Sequence, residues 1–203
     1  MENKILQFKI TLNAVRPIVW RRIQVPDKYS FWDLHCAIQD AMGWVGYHLH
    51  AFTVWKIGTV IRPTRIQMPD PEWDYDGDLD ESKEMLYAWF PNRFKQCTYE
   101  YDFGDGWTHT VLYEKTMFAE PGKKYPLCIT GKNLCPPEDC GGPWGYMDLL
   151  KVINKPSSKE GRELREWMGL DKGEIYDPTV WSAEEVEFGD PKEELKEYLE
   201  WRE

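Results

Sequence analysis

Residues Tyr99–His109 read YEYDFGDGWTH, and this stretch decides the fold of the chain around it. Its centre, Gly104–Gly106, is a Gly-Asp-Gly tripeptide, and glycine and aspartate tolerate the positive φ angles that tight turns require. The flanking residues predict a β-hairpin with strands at Cys97–Phe103 and Trp107–Glu114. Aromatic pairs across such strands commonly stabilise a hairpin, so the pattern first indicates a structural use for these side chains.

Upstream of the hairpin, four segments predict a ββαβ unit. The first two alternate between apolar and polar residues, as half-buried strands do. The third repeats apolar residues at helical spacing, follows a capping box formed by Ser30 and Asp33, and ends at Gly43. The fourth is apolar and β-branched, which favours another strand or a bent pair of strands. In chain order, the segments are Leu6–Leu12, Ile18–Val25, Phe31–Met42 and His48–Ile61.

The rest of the chain has weaker patterns. Pro69–Glu84 is rich in acidic and turn-forming residues and predicts a surface loop. Within it, Asp74–Glu81 resembles a calcium-binding loop, but its glycine does not stand at the required position. Tyr125–Trp144 is rich in Cys, Pro and Gly and predicts irregular structure, and Ser157 is a candidate helix cap. The predicted helices are Lys83–Phe90, Tyr146–Ile153, Leu164–Met168 and Pro191–Trp201.

These elements together predict an α+β fold. We expect a mainly antiparallel sheet with the early ββαβ unit, helices packed on one face, and a helical C-terminal part. Residues 1–153 are expected to form the core domain, and residues 154–203 an acidic helical extension packed on it. A chain of 203 residues can bury such a core without disulfides or metal ions.

Composition predicts the compartment and the class of partner. The net charge of −10 disfavours binding to a phosphate backbone, so a nucleic-acid partner is not expected. No apolar run has the length of a signal peptide or a membrane span, and five cysteines is an odd number. We therefore expect a cytoplasmic protein with free thiols, no membrane attachment, and a protein or a small ligand as its partner. The basic N-terminal region adds a possible anion-binding patch at Arg16, Arg21 and Arg22.

The hairpin contains a candidate acid–base group. Asp102 or Asp105 could lie beside His109, with Trp107 on the same strand face as the histidine. A carboxylate can hold a histidine in one tautomer for acid–base work or for metal binding. Aromatic packing across the hairpin is the alternative interpretation.

A second candidate is the pair His48 and His50 at the start of a predicted strand. Residues two apart on a strand face the same side, so both imidazoles could bind one metal ion. The alternative interpretation is one exposed and one packed histidine.

A third candidate is a group of cysteines in the Pro/Gly-rich loop, which could bind zinc together with one histidine. Buried thiols without a special role are the alternative. A catalytic thiolate is a further possibility, but the neighbouring Glu138 and Asp139, themselves candidate functional residues, would raise the thiol pKa. The candidate zinc ligands are Cys128, Cys135, Cys140 and His109.

The order of these motifs resembles one family, the plasmid pRiA4b ORF-3-like proteins. The matching blocks are Pro17–Pro26, Phe31–Gln39, Gly43–Trp44 with His48–Phe52, Tyr99–His109, Tyr125–Cys128 and Cys135–Tyr146. The resemblance implies a compact α+β fold. It also implies kinship with passenger genes of plasmids and insertion elements, some of which carry a resolvase-like name. It implies no established activity, and the chain lacks the His-rich stretch found in many members.

Three functions stay open on this sequence. The expected one is a non-enzymatic binding or adaptor protein whose groove is formed by the aromatic hairpin and the Pro/Gly/Cys loop. The first alternative is a metal- or thiol-dependent enzyme with a His/Asp/Cys site, for which zinc is the possible cofactor. The second is a nucleic-acid factor associated with a mobile element.

Overall fold

The computed structural model describes residues 3–55, 63–70 and 77–201, and its strands form one sheet. The strands are β1 (Lys4–Leu12), β2 (Trp20–Pro26), β3 (His50–Val54), β4 (Thr64–Gln67), β5 (Leu79–Asp80), β6 (Gln96–Tyr101), β7 (Trp107–Phe118) and β8 (Leu127–Lys132). Their order across the sheet is β5-β4-β3-β6-β7-β1-β2-β8. All neighbouring pairs among the described strands are antiparallel, except the short parallel pair of β4 and β5. The predicted α+β fold is confirmed.

The helices pack against this sheet and against one another. They are α1 (Phe31–Met42), α2 (Leu86–Trp89), α3 (Gly142–Val152), α4 (Lys159–Trp167) and α5 (Pro191–Trp201), with a 3-10 turn at Ala183–Glu185. The predicted bounds of α1 are confirmed. Ser30 Oγ accepts from the Asp33 N–H, the Asp33 carboxylate accepts from the Ser30 N–H, and Gly43 takes a left-handed φ of 82°.

β6 and β7 form the predicted hairpin around the Gly-Asp-Gly turn. Tyr99 lies opposite His109, and Tyr101 lies opposite Trp107. All four side chains are completely buried. β7 runs further than predicted, because it pairs along its length with β1. The rings of Tyr99, Tyr101 and Trp107 thus belong to the core.

Three strands lie where the sequence pattern predicts none. β4 begins beyond the predicted strand His48–Ile61 and pairs with β3. β8 falls within Tyr125–Trp144, and it forms because β2 offers it a free edge to pair with. β5 falls within the predicted acidic loop and pairs with β4. The cap of α4 is Ser158, whose Oγ accepts from the Gly161 N–H, rather than Ser157. The predicted strand end at Ile61 and the first part of the calcium-like segment lie outside the described residues.

The C-terminal segment contacts the sheet and α1. Trp32 Nε1 donates to the Pro191 carbonyl oxygen at 2.8 Å, and α5 packs against α1. The ring of Trp181 covers the guanidinium group of Arg21, with 4.0 Å between Cζ and the ring centroid. A domain boundary after residue 153 stays a prediction. None of the described helices is long and apolar enough to cross a membrane.

Candidate functional site

The hairpin tip brings together three residues from separate segments. His48 precedes β3, Asp102 follows β6, and Asp139 lies in the loop before α3. His48 Nε2 is 3.2 Å from Asp139 Oδ1, and His48 Nδ1 is 3.9 Å from Asp102 Oδ2. One donor atom of each residue lies within 4.8 Å of a donor atom of the other two. We call these three residues the tip cluster.

Backbone amides hold the carboxylates around the tip cluster. Asp102 Oδ1 accepts from the N–H groups of Gly104, at 3.0 Å, and Asp105, at 3.3 Å. Asp105 Oδ2 accepts from the Gly141 N–H at 3.2 Å, which joins the hairpin turn to the Pro/Gly/Cys loop. Asp105 therefore holds the hairpin turn against the loop. The hydrogen bond of His109 is with another group and not with Asp102 or Asp105, which were its predicted partners.

Glu138 lies beside the tip cluster and is held by two donors. Its Oε1 accepts from the Tyr101 hydroxyl at 2.5 Å, and its Oε2 accepts from the Val45 N–H at 2.9 Å. Burial and then the Glu138 carboxylate raise the pKa of Tyr101, so the hydroxyl stays protonated and donates. The Trp44 ring stacks on Tyr101, with 5.2 Å between centroids, and its Nε1 donates to the Pro136 carbonyl oxygen.

A cleft of about 500 Å³ opens between α1, the loop that follows α1, and α5. Val45 lines it and connects it to Glu138. None of the described residues that line the cleft is a lysine or an arginine. Its aromatic residues are Trp32, Trp44, Tyr47 and Tyr198, its carboxylates are Asp40, Glu194 and Glu197, and its other polar side chains are His35 and Gln39.

The floor of the cleft is a chain of buried hydrogen bonds. Gln39 Nε2 donates to the Tyr99 hydroxyl oxygen at 2.8 Å, and this oxygen lies 2.7 Å from His35 Nδ1. Because Gln39 already donates to the oxygen, we infer that the hydroxyl proton is directed to Nδ1 and that the ring proton of His35 lies on Nε2. Burial, and then the His50 ring, hold the pKa of His35 well below its ordinary value, so the ring is neutral near pH 7. Within the described part of the chain, the buried Gln39 Oε1 has no hydrogen-bond partner.

His50 does not share a metal site with His48, contrary to one of the predictions. β3 begins at His50, so His48 lies before the strand, and the rule that residues two apart face one side does not apply. His50 Nε2 is bonded to Glu81 Oε1 at 2.8 Å in the interior. Its ring stacks on His35, with 3.4 Å between centroids and 1° between planes. Burial raises the pKa of Glu81, and the bond to His50 opposes that effect.

The thiols and His109 do not converge on a zinc site either. Among the described residues, the tip cluster is the group whose donor atoms lie close enough together to hold one metal ion, and it contains none of the cysteines. Cys128 belongs to β8 and Cys135 packs in the core. His109 is buried with Nδ1 at 3.3 Å from the Tyr99 carbonyl oxygen, and burial lowers its pKa to about 3. Burial raises the pKa of the half-buried Cys140 to about 12, which does not favour a thiolate nucleophile.

The predicted anion-binding arginines do not form one patch. Arg21 and Arg22 are successive residues of a strand, so their side chains leave on opposite faces. Arg21 is completely buried, its Nε donates to the Ala41 carbonyl oxygen at 2.7 Å, and burial lowers its pKa to about 10. Arg22 pairs through two nitrogens with Glu114, at 2.7 and 2.8 Å. Arg16 Nη1 donates to the carbonyl oxygen of the preceding residue.

Sequence reasoning missed the cleft, because its walls come from α1 and α5, which lie far apart in the chain. A signal was present in α1. His35 and Gln39 are polar residues one helical turn apart on a largely buried helix, and buried polar side chains need partners. α5 carried no comparable signal, because acidic residues are typical of any solvated helix face.

Comparison with known proteins shows similarity to two relatives that cover most of the chain. One is the crystal structure of a protein of unknown function, MM3350 from Methanosarcina mazei Go1. It matches with a TM-score of 0.80 at 35% sequence identity, over 93% of this chain and 100% of that chain. The other is Uncharacterized protein y4hQ of Sinorhizobium fredii, which is 37% identical over 170 residues, 83% of each protein. The model of one family also matches residues 4–185, and the chain therefore belongs to the plasmid pRiA4b ORF-3-like family.

Proposed function

We propose that this protein is a non-enzymatic binding protein that holds a small organic cation in the cleft between α1 and α5. The proposal keeps the binding function expected from the sequence and moves its site. Tyr99, Tyr101 and Trp107 of the hairpin are completely buried, so their rings are not available to stack on a partner. The cleft lies next to them, because Gln39 and His35 of its floor are bonded to the Tyr99 hydroxyl.

Uncompensated negative charge in the cleft is the observation that carries the proposal. Among the described residues, Asp40, Glu194 and Glu197 have no ion pair with a lysine or an arginine. Burial raises the pKa of Glu194, a hydrogen bond with Cys36 opposes that effect, and the charges of Asp40 and Glu197 raise the pKa further. Burial also raises the pKa of Asp40. A bound cation would relieve this repulsion and gain Coulomb attraction in a partly desolvated site.

The aromatic residues of the cleft suit a cation with an apolar body. The faces of aromatic rings attract cations, tryptophan most strongly. Trp32 and Trp44 are already held in place, because the indole N–H of each donates to a backbone carbonyl oxygen. Fixed rings lose little conformational entropy when a ligand binds. Tyr47, which is 84% exposed, stands at the rim, where its ring can cover the ligand.

The polar groups on the floor of the cleft favour a ligand that carries a hydroxyl group. His35 Nε2 carries a proton, and Gln39 Oε1 lacks a partner among the described residues. A ligand hydroxyl group accepts a hydrogen bond and donates one, so it satisfies both groups. A hydroxyalkyl ammonium ion combines the features that the walls and the floor favour.

The test is a calorimetric titration of the full chain with choline and with the uncharged analogue in which carbon replaces the ammonium nitrogen. We expect choline to bind and the analogue to bind at least about tenfold more weakly, a difference of about 1.4 kcal/mol. Glu194→Gln should weaken choline binding by a similar factor. Glu193→Gln, which removes the same charge from the same helix outside the cleft lining, should leave the affinity unchanged. Equal binding of choline and its analogue, or unchanged affinity in Glu194→Gln, would refute the proposal.

The pH dependence gives a second readout of the same site. Glu194 and Asp40 have raised pKa values, so their carboxylates become protonated sooner than ordinary ones as the pH falls. Protonation removes the negative charge that attracts the cation. Choline affinity should therefore be constant near neutral pH and should decline on acidification, with a smaller decline in Glu194→Gln.

A further inference from the structure

We propose that the tip cluster, His48, Asp102 and Asp139, binds one divalent first-row transition-metal ion. This site is separate from the cation cleft, and none of the three residues lines that cleft. Donor atoms of all three lie within 4.8 Å of one another, and the residues come from three separate segments of the chain. Small rotations of the side chains bring such donors to the ligand distances of about 2.0–2.2 Å that transition metals adopt.

The donor set selects the class of metal. One imidazole nitrogen and two carboxylate oxygens suit manganese, iron, cobalt and zinc. Calcium and magnesium prefer oxygen ligands throughout, so the imidazole disfavours them. Three protein ligands leave coordination positions for water or for a further ligand.

Neighbouring groups orient the ligand atoms. The N–H groups of Gly104 and Asp105 occupy Asp102 Oδ1, so Oδ2 is the oxygen on the side of His48. Such outer hydrogen bonds are what fix a metal ligand in its binding geometry. The side chain of Asp102 is 13% exposed, that of His48 is 35% exposed and that of Asp139 is 69% exposed. The cluster is therefore open to an ion on one side and held by protein on the other.

The local charge favours a cation. Four carboxylates meet at the hairpin tip, and within the described part of the chain none of them has an ion pair with a lysine or an arginine. His48 is the basic group that faces two of them. The four are Asp102, Asp105, Glu138 and Asp139. A divalent ion would offset this concentration of negative charge.

A metal-free alternative gives the same static geometry. In that alternative, the two nitrogens of the His48 ring face Asp102 and Asp139 with no ion bound. The two arrangements differ in what they bind, because the metal site alone takes up one divalent cation per chain.

The test is a titration of the full chain with Co²⁺, followed by visible absorption, together with calorimetry of Zn²⁺ and Mn²⁺ binding. We expect one ion per chain. Asp139→Asn and His48→Gln should each weaken binding at least about tenfold, because even the loss of an outer-shell partner of a metal ligand weakens binding by about that factor. Asp148→Asn removes one charge at an exposed position of α3 and should bind like the wild type. Thermal unfolding of each variant shows whether it is folded.

Several outcomes would overturn the proposal. They are the absence of one-to-one binding, unchanged affinity in Asp139→Asn, equal affinity for Mg²⁺, and sulfur-to-cobalt charge-transfer absorption, which would assign the ion to a cysteine. Metal affinity in Glu194→Gln should equal that of the wild type. The two proposals can therefore be refuted independently, because the variant that tests the cation cleft does not change the metal site.

Discussion

Replacing Gly142 by alanine should destabilise the protein more than the same replacement at Gly141. Both glycines have positive φ, 68° and 87°, so alanine costs about 1–2 kcal/mol at either position. At Gly142, a Cβ would stand 3.1 Å from the carbonyl carbon of Asp105 and closer still to its oxygen, where real Cβ atoms do not approach. At Gly141, the nearest atom would be Gly145 Cα at 3.6 Å, which is ordinary contact.

The two magnitudes follow from these contacts. Overpacking costs about 1–3 kcal/mol, so we expect Gly142→Ala to lose about 2–5 kcal/mol and Gly141→Ala about 1–2 kcal/mol. The clash would push the hairpin turn away from the Pro/Gly/Cys loop. Gly142→Ala should therefore also weaken metal binding at the tip cluster, because Asp102 and Asp139 lie on opposite sides of that junction.

Urea unfolding followed by tryptophan fluorescence measures both variants under the same conditions. Gly169→Ala is the control for the backbone cost alone, because its φ is 67° and a Cβ there would meet nothing within 4 Å. Gly141→Ala and Gly169→Ala should lose similar free energies of unfolding. If Gly142→Ala unfolded at the same urea concentration as these two, close approach of the loop to the turn would not be the reason for a glycine there.

Two further predictions concern groups that the sequence offered as functional. Arg21→Lys should lower the free energy of unfolding, measured in urea, by about 2–4 kcal/mol. An ammonium group cannot reproduce the hydrogen bonds to the Ala41 and Lys132 carbonyl oxygens or the stacking on Trp181. A loss below about 1 kcal/mol would contradict this reasoning. Alkylation of Cys140 by iodoacetamide should rise about tenfold per pH unit between about pH 7 and 9, because burial raises its pKa to about 12 and the thiolate is the reacting form. A rate that levels off near pH 7 would reveal a low-pKa thiolate, and Cys140→Ser should remove the fastest-reacting thiol.

The hairpin and α1 could be predicted because their determinants are local. The turn needs residues that accept positive φ, and α1 needs a cap, a period and a stop within one short segment. β8 could not be predicted in the same way. Its residues lack clear alternation, and the strand exists because β2 has a free edge that accepts its hydrogen bonds. A pairing partner far away in the chain decides such a strand.

The candidate functional residues show the same difference between local and long-range determinants. Sequence patterns identified His48, Asp102 and Asp139 as polar residues with possible chemistry. The patterns could not show that these three residues lie together, because the distances between the side chains depend on how β3, β6 and the loop before α3 pack. The cleft is a stronger case, since α1 and α5 supply opposite walls and neither helix alone indicates a site.

The sequence by itself determined the family, the α+β class and the hairpin at Tyr99–His109, because each depends on residues that are close in the chain or on the order of motifs. Tertiary structure alone decided which histidine lies beside which carboxylate. His48 lies with Asp102 and Asp139 at the surface, and His50 lies with Glu81 in the interior. The physical reason is that β3 begins at His50, so pairing with β6 fixes His50 in the sheet and leaves His48 outside it, although the two are neighbours in the sequence.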